Sequence, residues 1–305
     1  MTIKRYLITG ATGYTGSFLA KDIVNKNIAE VHLIVRRNSD LNKLKEIKDK
    51  VFIHIHNGTI ENMIEILNQS KPDIVFHLAS LVLSSHEPKD INSLIESNIL
   101  FGTQLVEAMI QNGINSLINT GTSWQHYNNE IYNPVCLYAA TKQAFEDILK
   151  FYAEVNNLKV INLKLFDTYG PGDFRNKLFT LLNNAAKNHE LLKMSPGEQF
   201  LDLVYIDDVV NAFLVAADRI SKMKDGTIES FAVSSGKRIK LKDVVRLYSE
   251  ITKQEIQIDW GGRPYRKREV MVPWENGTKL PGWCPSVDLE EGMKKIYNHE
   301  FINHE

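Results

Sequence analysis

The sequence has few cysteines and lacks any long apolar run. Its 305 residues include only Cys136 and Cys284, which lie far apart and form no metal-ligand spacing. So few thiols are typical of a reducing cytoplasm. No apolar stretch approaches the roughly 20 residues that cross a bilayer, and the apolar run Tyr6–Thr9 leads into glycines rather than into a signal-peptide cleavage site. We therefore expect a soluble cytoplasmic protein.

An excess of charge of one sign is also missing. The chain has 36 Lys and Arg against 37 Asp and Glu, mixed along its length, with a net charge of −1. Proteins that bind nucleic acid or anionic membranes usually carry a basic patch, so neither partner is expected. The Lys-rich segment Asn42–Lys50 is interpreted as a solvated helix face. His54 and His56 alternate on a predicted strand, which favours a structural role, and no metal site is expected.

Short apolar runs alternate with helical patterns through the first half of the chain. The predicted strands are Tyr6–Thr9, Val31–Val35, Val51–Ile55, Ile74–Leu78, Ser116–Asn119 and Val160–Leu165. The helical patterns between them include Ser17–Asn25, Ile60–Asn68, Leu94–Asn112 and Tyr138–Val155. Apolar strands separated by helices predict a parallel sheet covered on both faces. The expected fold is α/β, a doubly wound Rossmann-like sheet that binds ligands beyond the carboxyl ends of its strands.

The regular alternation ends at the loop Tyr169-Gly170-Pro171-Gly172. A helix at Lys177–Asn188, a strand at Phe200–Tyr205 and a helix at Asp207–Asp218 are predicted beyond it. We assign residues 1–170, with a return segment at about 200–220, to a dinucleotide-binding domain. Residues 171–199 and 221–305 are assigned to a smaller C-terminal substrate-binding lobe.

A glycine-rich turn lies between the first predicted strand and the first helix. Gly10, Gly13 and Gly16 are spaced three apart, which lets the backbone turn tightly and approach a pyrophosphate. The helix that follows offers N–H donors and a favourable dipole to the phosphates. The strand–turn–helix context predicts a dinucleotide site, and the turn residues Thr12, Tyr14 and Thr15 are included among its contacts.

The second strand ends in Arg36-Arg37. An enzyme that uses NAD usually has an acidic residue here, which binds the adenosine ribose, whereas arginine can clamp a 2′-phosphate through forked, charge-assisted hydrogen bonds. The alternative is that both are ordinary surface cations. We expect NADP(H) as the cofactor.

The segment Tyr138-Ala139-Ala140-Thr141-Lys142 opens a predicted helix. Positions i and i+4 share a helix face, so the Tyr138 phenol and the Lys142 ammonium are expected to lie side by side. A neighbouring cation favours the phenolate and is expected to lower the tyrosine pKa, which makes Tyr138 a candidate general acid or base. Hydroxyls that follow the fifth strand could bind the same substrate oxygen. Thr122 is the first candidate and Ser123 the second.

Taken together, these blocks resemble the extended short-chain dehydrogenase/reductase superfamily. The resemblance rests on TGATGYTG at the start, PDIVFHLAS at Pro72–Ser80, YAATK at Tyr138–Lys142, LFDTYGPGD at Leu165–Asp173 and VYIDDVV at Val204–Val210. The C-terminal region looks like that of bacterial reductases of nucleotide-linked 4-keto-6-deoxyhexoses, the group that includes CDP-abequose synthases and dTDP-fucose-forming enzymes.

The resemblance implies further cofactor contacts. They are Thr59, Ile60, Leu78, Ala79, Ser80, Asn98 and Leu165, in addition to the glycine turn, Tyr138 and Lys142. It also implies a nucleotide-diphosphate sugar, linked to CDP, dTDP or GDP, as the substrate in the smaller lobe. The candidate substrate contacts are Leu83, Ser84, Thr122, Ser123, Trp124, Phe166, Asp167, Arg175, Asn176, Arg263 and Arg266.

Two departures from the superfamily pattern narrow the expected function. Ser123-Trp124 stands where the 4,6-dehydratases of this group have an Asp-Glu pair, so a dehydratase is not expected. Leu201 replaces an Arg that commonly meets a substrate phosphate, so Arg263, Arg266 or Arg268 is expected to take that role.

The expected activity is NADPH-dependent reduction of a C4 keto group in bacterial deoxysugar biosynthesis for surface polysaccharides such as lipopolysaccharide O-antigen. An NAD-dependent nucleotide-sugar epimerase and a non-catalytic NADP(H)-binding protein are the alternatives. The helices Leu94–Asn112 and Tyr138–Val155 resemble those that pair in superfamily dimers, so a homodimer is expected.

Overall fold

The computed structural model describes residues 3–302. The strands are β1 (Arg5–Thr9), β2 (Glu30–Arg36), β3 (Phe52–His56), β4 (Ile74–His77), β5 (Ser116–Thr122), β6 (Lys159–Leu165), β7 (Asp167–Tyr169), β8 (Leu192–Met194), β9 (Phe200–Leu201), β10 (Leu203–Tyr205), β11 (Ile228–Val233), β12 (Ile239–Lys240) and β13 (Ile258–Trp260). The α-helices are α1 (Tyr14–Asn25), α2 (Ile60–Ser70), α3 (Ile91–Ile95), α4 (Phe101–Gln111), α5 (Leu137–Asn156), α6 (Leu178–Asn188), α7 (Ile206–Ile220), α8 (Leu241–Thr252) and α9 (Leu289–Tyr297).

The main sheet is parallel and has the strand order β11-β6-β5-β4-β1-β2-β3. Its central strands are buried on both faces, as the continuous apolar runs predicted. One face is covered by α1 and α7, whose Leu19, Ile23 and Phe213 are fully buried. The other is covered by α2, α4 and α5, through side chains such as Met63 and Leu105. The doubly wound fold is confirmed.

Residues 228–233, which the sequence analysis placed in the smaller lobe, form β11 of the main sheet. The strand pairs with β6 in parallel, from Ile228 opposite Val160 to Val233 opposite Leu165. The alternation of strands and helices therefore continues through α7 and ends one strand later than predicted. The exact boundary between the two lobes stays a prediction.

Two other segments differ from their predicted form. Asn42–Lys50 is a 3-10 helix, and its Leu44 and Ile47 are buried against the core, so only part of it is a solvated face. The predicted strand Phe200–Tyr205 is interrupted at Asp202. That carboxylate is buried and accepts hydrogen bonds from Ser234 and Ser235, which turns the chain from β9 into β10.

The C-terminal segment is held against α7 by a buried carboxylate. Asp208 accepts hydrogen bonds from Ser286 N and Oγ at 2.9 and 2.7 Å and from Val287 N at 3.1 Å. Trp283 Nε1 donates to the Asp208 carbonyl at 2.9 Å. These bonds hold the segment just before α9 against α7. In the smaller lobe, β8 pairs with β13 and β9 pairs with β12.

The helices α3 and α5 expose apolar side chains, among them Ile95, Phe151 and Val155. This is the region predicted to form a homodimer, which remains a prediction. Between residues 3 and 302, no helix combines the length and apolarity that a membrane crossing needs.

Candidate active site

The glycine turn connects β1 to α1 at the carboxyl edge of the sheet. Gly10 has a positive φ of 74°, and a Cβ there would lie 2.6 Å from Ala79 N. A Cβ at Gly16 would lie 2.2 Å from Gly10 O. The turn therefore packs against the backbone of Leu78 and Ala79, and Gly13 precedes the first turn of α1. A helix N-terminus behind a glycine-rich turn fits the pyrophosphate of a dinucleotide.

The other residues predicted in this turn have different surroundings. The Tyr14 side chain is buried, and its hydroxyl donates to Pro171 O at 3.2 Å, so it packs against the loop after β7. Only the backbone of Tyr14 is therefore available to contact a phosphate. Thr12 and Thr15 are partly exposed.

The Arg36 and Arg37 side chains are exposed at the end of β2. The Arg36 N–H donates to Ser39 Oγ at 3.0 Å, which fixes the turn after the strand. Neither guanidinium forms an ion pair with any residue that the structure describes. Thr59, the predicted adenine contact, caps α2, because its Oγ1 accepts from Asn62 N at 3.3 Å. Ile60 is the first residue of that helix.

Tyr138 and Lys142 lie one turn apart near the start of α5, and both are buried. The Tyr138 phenol hydrogen-bonds the Thr122 side chain, which stands at the end of β5. Tyr138 and Thr122 thus meet beyond the carboxyl edge of β5, and Lys142 lies one helical turn further along α5. Ser123 begins the short 3-10 turn that follows and is partly exposed.

The expected lowering of the tyrosine pKa is not found. Burial raises the pKa of Tyr138, and the Thr122 hydrogen bond only partly opposes this effect. Burial also lowers the pKa of Lys142 to about 8, although the nearby Glu146 carboxylate favours the ammonium. The cost of desolvating a phenolate therefore dominates, and Lys142 is not among the groups that offset it. Tyr138 is therefore protonated at neutral pH and can act as a proton donor.

Asn98 links the loop after β4 to α5. It lies in a π-helical segment, Glu96–Leu100, between α3 and α4. Its Nδ2 donates to Leu81 O and to Thr141 Oγ1, each at 3.0 Å, and its Oδ1 accepts from Ser80 Oγ and Leu81 N at 3.0 and 2.7 Å. Ser80 and Asn98, both predicted cofactor contacts, are therefore hydrogen-bonded to each other beside Lys142.

A buried polar network below Thr122 was missed by the sequence analysis. Gln125 Oε1 accepts from Thr122 N at 3.0 Å, and Gln125 Nε2 donates to Glu146 Oε1 at 3.0 Å. Glu146 Oε2 forms an ion pair with Lys164 Nζ at 3.0 Å. The spacing from Lys142 to Glu146 was the available signal, since residues four apart share a helix face. The other members of this network come from β5, β6 and the turn after β5, so their contact cannot be predicted from the sequence.

Several predicted substrate residues surround a small cavity beyond β5 and β6. Ser123, Trp124, Phe166 and Asp167 line it, together with Arg266. Arg266 forms a forked ion pair with Glu269, at 2.7 and 3.0 Å. Trp274 also lines the cavity and was not predicted as a contact there.

The remaining predicted substrate contacts lie apart from this cavity. Arg175 forms a forked ion pair with Asp173 and lies 4.5 Å above the Tyr14 ring, so its charge is already paired. Arg268 hydrogen-bonds Asn133 and lies over the Tyr127 ring. Arg263 is exposed. Asn176 and Ser84 are exposed loop residues, and Leu83 is partly exposed, as is Leu165, a predicted cofactor contact.

The structure contains no group of three or more His, Cys, Asp or Glu side chains suited to a metal among residues 3–302. His54 instead hydrogen-bonds His32, with 3.0 Å between His32 Nδ1 and His54 Nε2.

Several known proteins are similar to this chain in sequence and in fold. Residues 6–230 match the NAD dependent epimerase/dehydratase family. CDP-abequose synthase of Yersinia pseudotuberculosis is 28% identical over 270 residues, which cover 88% of this chain and 91% of that protein. The dTDP-4-dehydro-6-deoxyglucose reductase of Escherichia coli is 22% identical over 308 residues, covering 95% of each chain.

Among solved structures, UDP-glucose 4-epimerase of Thermotoga maritima, determined with UDP-glucose, superposes with a TM-score of 0.86. It is 24% identical and covers 98% of this chain and 99% of its own, so this likeness concerns the fold. The family match covers most of the chain and includes the glycine turn, Tyr138 and Lys142. The chain belongs to the NAD dependent epimerase/dehydratase family, a part of the extended short-chain dehydrogenases/reductases.

Proposed function

We propose that this protein reduces the C4 keto group of a nucleotide-linked 4-keto-6-deoxyhexose with NADPH, with CDP, dTDP or GDP as the nucleotide. The observation that carries the proposal is the position of the buried Tyr138, beside Thr122 and one helical turn from Lys142. A phenol that keeps its proton at neutral pH can give it to a carbonyl oxygen as that oxygen gains negative charge.

Each residue has a defined role in this reaction. Tyr138 donates its proton to O4, and the Thr122 hydroxyl orients the same oxygen. The Lys142 ammonium stabilises the tyrosinate that remains. NADPH, when bound, would supply the hydride that C4 gains. The glycine turn and the N-terminus of α1 hold the pyrophosphate, and Asn98 keeps the Leu81 loop against α5.

The preference for NADPH rests on Arg36 and Arg37. Their exposed guanidiniums have no acidic partner within the described chain and follow β2, the strand whose end borders the adenosine ribose in dinucleotide-binding folds. A 2′-phosphate would form charge-assisted hydrogen bonds with them. A net reductase consumes one cofactor per turnover and draws on the reducing pool, which also favours NADPH. The similarity to CDP-abequose synthase and to dTDP-4-dehydro-6-deoxyglucose reductase supports reduction over epimerisation.

An epimerase is the second candidate, because a UDP-glucose 4-epimerase shares the fold with a TM-score of 0.86. Transfer of isotope separates the two. NADPH carrying deuterium at the transferred position is supplied with each 4-keto-6-deoxy sugar nucleotide, and the product is analysed by mass spectrometry and NMR. A reductase gives one deuterium at C4 for each NADPH consumed. An epimerase acts instead on the corresponding C4 alcohol, whose C4 hydrogen it removes onto bound NAD⁺ and then returns. Each 4-hydroxy sugar nucleotide is therefore tested in parallel, and its conversion to unlabelled C4 epimer with no NADPH consumption would replace our proposal.

A further inference from the structure

A row of polar side chains crosses one buried face of the main sheet, and we call it the polar row. In order across five adjacent strands its members are Thr9, His77, Asn119, Asn162 and Ser230, and each is the register partner of the next. Register partners point to the same face of a sheet. The first four are at most 2% exposed, whereas Ser230 is exposed. Asn119 Nδ2 donates to Asn162 Oδ1 at 2.8 Å, and Asn162 Nδ2 donates to Ser230 Oγ at 3.2 Å.

Thr9 joins the polar row to the glycine turn. Its Oγ1 accepts a hydrogen bond from Ala79 N at 3.2 Å, and its carbonyl accepts one from Leu78 N at 3.2 Å. Ala79 N is also the atom that a Cβ at Gly10 would approach to 2.6 Å. The loop after β4 and the glycine turn are therefore fixed to each other through Thr9, at the place where a dinucleotide-binding fold holds the pyrophosphate.

The hydrogen bonds of Thr9 determine which nitrogen of His77 carries the proton. Thr9 Oγ1 lies 2.9 Å from His77 Nδ1. Because the Ala79 N–H can only donate, the hydroxyl hydrogen of Thr9 is left with a single acceptor among residues 3–302, which is His77 Nδ1. The imidazole proton then belongs on Nε2. That atom and the Asn119 Oδ1 of the next strand are both buried, and neither has a hydrogen-bond partner in the described chain, so a donor and an acceptor are neighbours there.

The His77 side chain is enclosed and uncharged. The rings of Phe101 and Phe145 pack against it, with centroids 5.9 and 5.3 Å from that of the imidazole. Burial, together with the nearby Lys142 ammonium, lowers the pKa of His77 to about 3. The imidazole therefore takes up no second proton at neutral pH, and its Nδ1 keeps the lone pair that accepts from Thr9.

We infer that His77 is a positioning residue for the cofactor. As the neutral Nε2–H tautomer it accepts the hydroxyl hydrogen of Thr9. This leaves a lone pair of Thr9 Oγ1 directed at Ala79 N and fixes the loop after β4 against the glycine turn. A loop that is already ordered costs less entropy when the dinucleotide binds. The inference rests on the dinucleotide site and not on the reduction, and it applies equally to NADPH and NADH.

Three measurements on the whole protein test this inference. The tautomer is determined at neutral pH from the ¹⁵N shifts of the histidine ring nitrogens, with the His77→Asn spectrum used to assign the His77 signals. Calorimetry gives the dissociation constants of NADPH and NADH, and hydrogen exchange at the Ala79 amide reports on the loop. The variants Thr9→Val and His77→Phe remove the bonds and roughly keep side-chain size, whereas the Oδ1 of His77→Asn can replace Nδ1 as the acceptor. Ser70→Ala is the control, because it removes a buried hydroxyl elsewhere, one that donates to Ile66 O at 2.7 Å.

We expect His77 Nδ1 to be unprotonated and Nε2 to carry the proton. Thr9→Val and His77→Phe should weaken NADPH and NADH binding equally, by about 3- to 10-fold, the size of one hydrogen bond, and should speed exchange at Ala79. His77→Asn should bind both cofactors within about twofold of the wild type, and so should Ser70→Ala.

A proton on Nδ1, a charged imidazole, or unchanged cofactor affinity in Thr9→Val would overturn the inference. An equal loss in Ser70→Ala would do the same, since it would show a general effect of lower stability. If His77→Phe does not fold, Thr9→Val and the tautomer decide the question. A wild type that binds neither cofactor would refute the positioning role together with the dinucleotide site. The expected results without turnover of any keto sugar would uphold the role of His77 and refute only the proposed reduction.

Discussion

Asn98 and Thr141 are joined by a buried hydrogen bond of 3.0 Å between Asn98 Nδ2 and Thr141 Oγ1. Thr141 immediately precedes Lys142, and its hydroxyl donates to the Tyr138 carbonyl at 2.7 Å. The amide of Asn98 also holds both backbone groups of Leu81. One side chain thus connects the first turn of the catalytic helix to the loop at the cofactor edge of the sheet.

Replacing Asn98 should therefore impair catalysis more than folding. Asn98→Ala frees the Leu81 loop and the start of α5, and a small displacement of catalytic groups costs on the order of 10- to 100-fold in kcat. Steady-state kinetics give the effect, and thermal unfolding gives the control for folding. Asn92→Ala changes an exposed amide on the preceding helix α3 and should behave like the wild type. A wild-type kcat in Asn98→Ala would show that this link has no role in catalysis.

The activity should decline at alkaline pH because of Lys142. Burial lowers the pKa of this lysine to about 8, so the ammonium is present below that pH and is lost as the pH rises through it. Without the positive charge, the tyrosinate left after proton donation is no longer stabilised, and kcat/KM falls. In Lys142→Arg the charge persists, because a guanidinium stays protonated throughout this range. Any activity that this variant retains should lack the decline near pH 8, and an unchanged decline would assign it to another group.

Arg36 and Arg37 should control the choice of cofactor. Removing a guanidinium that binds the 2′-phosphate costs about 1.5–3 kcal/mol, which is roughly 10- to 100-fold in affinity. Arg36→Ala and Arg37→Ala should weaken NADPH binding by this amount and leave NADH nearly unchanged. Fluorescence titration of both cofactors measures the ratio. Arg246→Ala, an exposed arginine on α8, serves as the control. Equal losses for NADPH and NADH would refute 2′-phosphate recognition.

Asp208 should be a major determinant of stability. Its buried carboxylate accepts three hydrogen bonds from Ser286 and Val287, and Asp208→Ala would leave these donors unpaired. We expect a loss of about 2–4 kcal/mol in the free energy of unfolding, measured with denaturant. Asp218→Ala, at the exposed end of the same helix, removes only a surface pair with Lys222 and should cost far less. Similar losses in both variants would contradict the docking role.

Local patterns predicted the part of the fold that carries the cofactor turn and the catalytic helix. The turn from Gly10 to Gly16 and the pair Tyr138 and Lys142 are each set within one element, so spacing alone identified them. The strand β11 was missed as part of the main sheet, because polar residues such as Glu229 and Ser230 interrupt its apolar pattern.

The groups that were missed in the site depend on contacts between distant elements. Gln125, Glu146 and Lys164 meet from a turn, a helix and a strand, and their interaction exists only once the sheet has formed. Trp274 reaches His126 from almost 150 positions away, which no periodicity reveals. The predicted direction of the Tyr138 pKa shift was also wrong. Burial determines this shift, and burial cannot be inferred from the spacing to Lys142.

The most direct test of the proposed reduction is the loss of NADPH absorbance in the presence of CDP-, dTDP- and GDP-linked 4-keto-6-deoxyhexoses, each generated by its dehydratase. The account predicts stoichiometric oxidation with one of these substrates by the wild type. It also predicts a loss on the order of 10²- to 10⁴-fold in Tyr138→Phe, with NADPH affinity retained. The absence of oxidation with all three sugars by an enzyme that binds NADPH, or a wild-type rate in Tyr138→Phe, would contradict it.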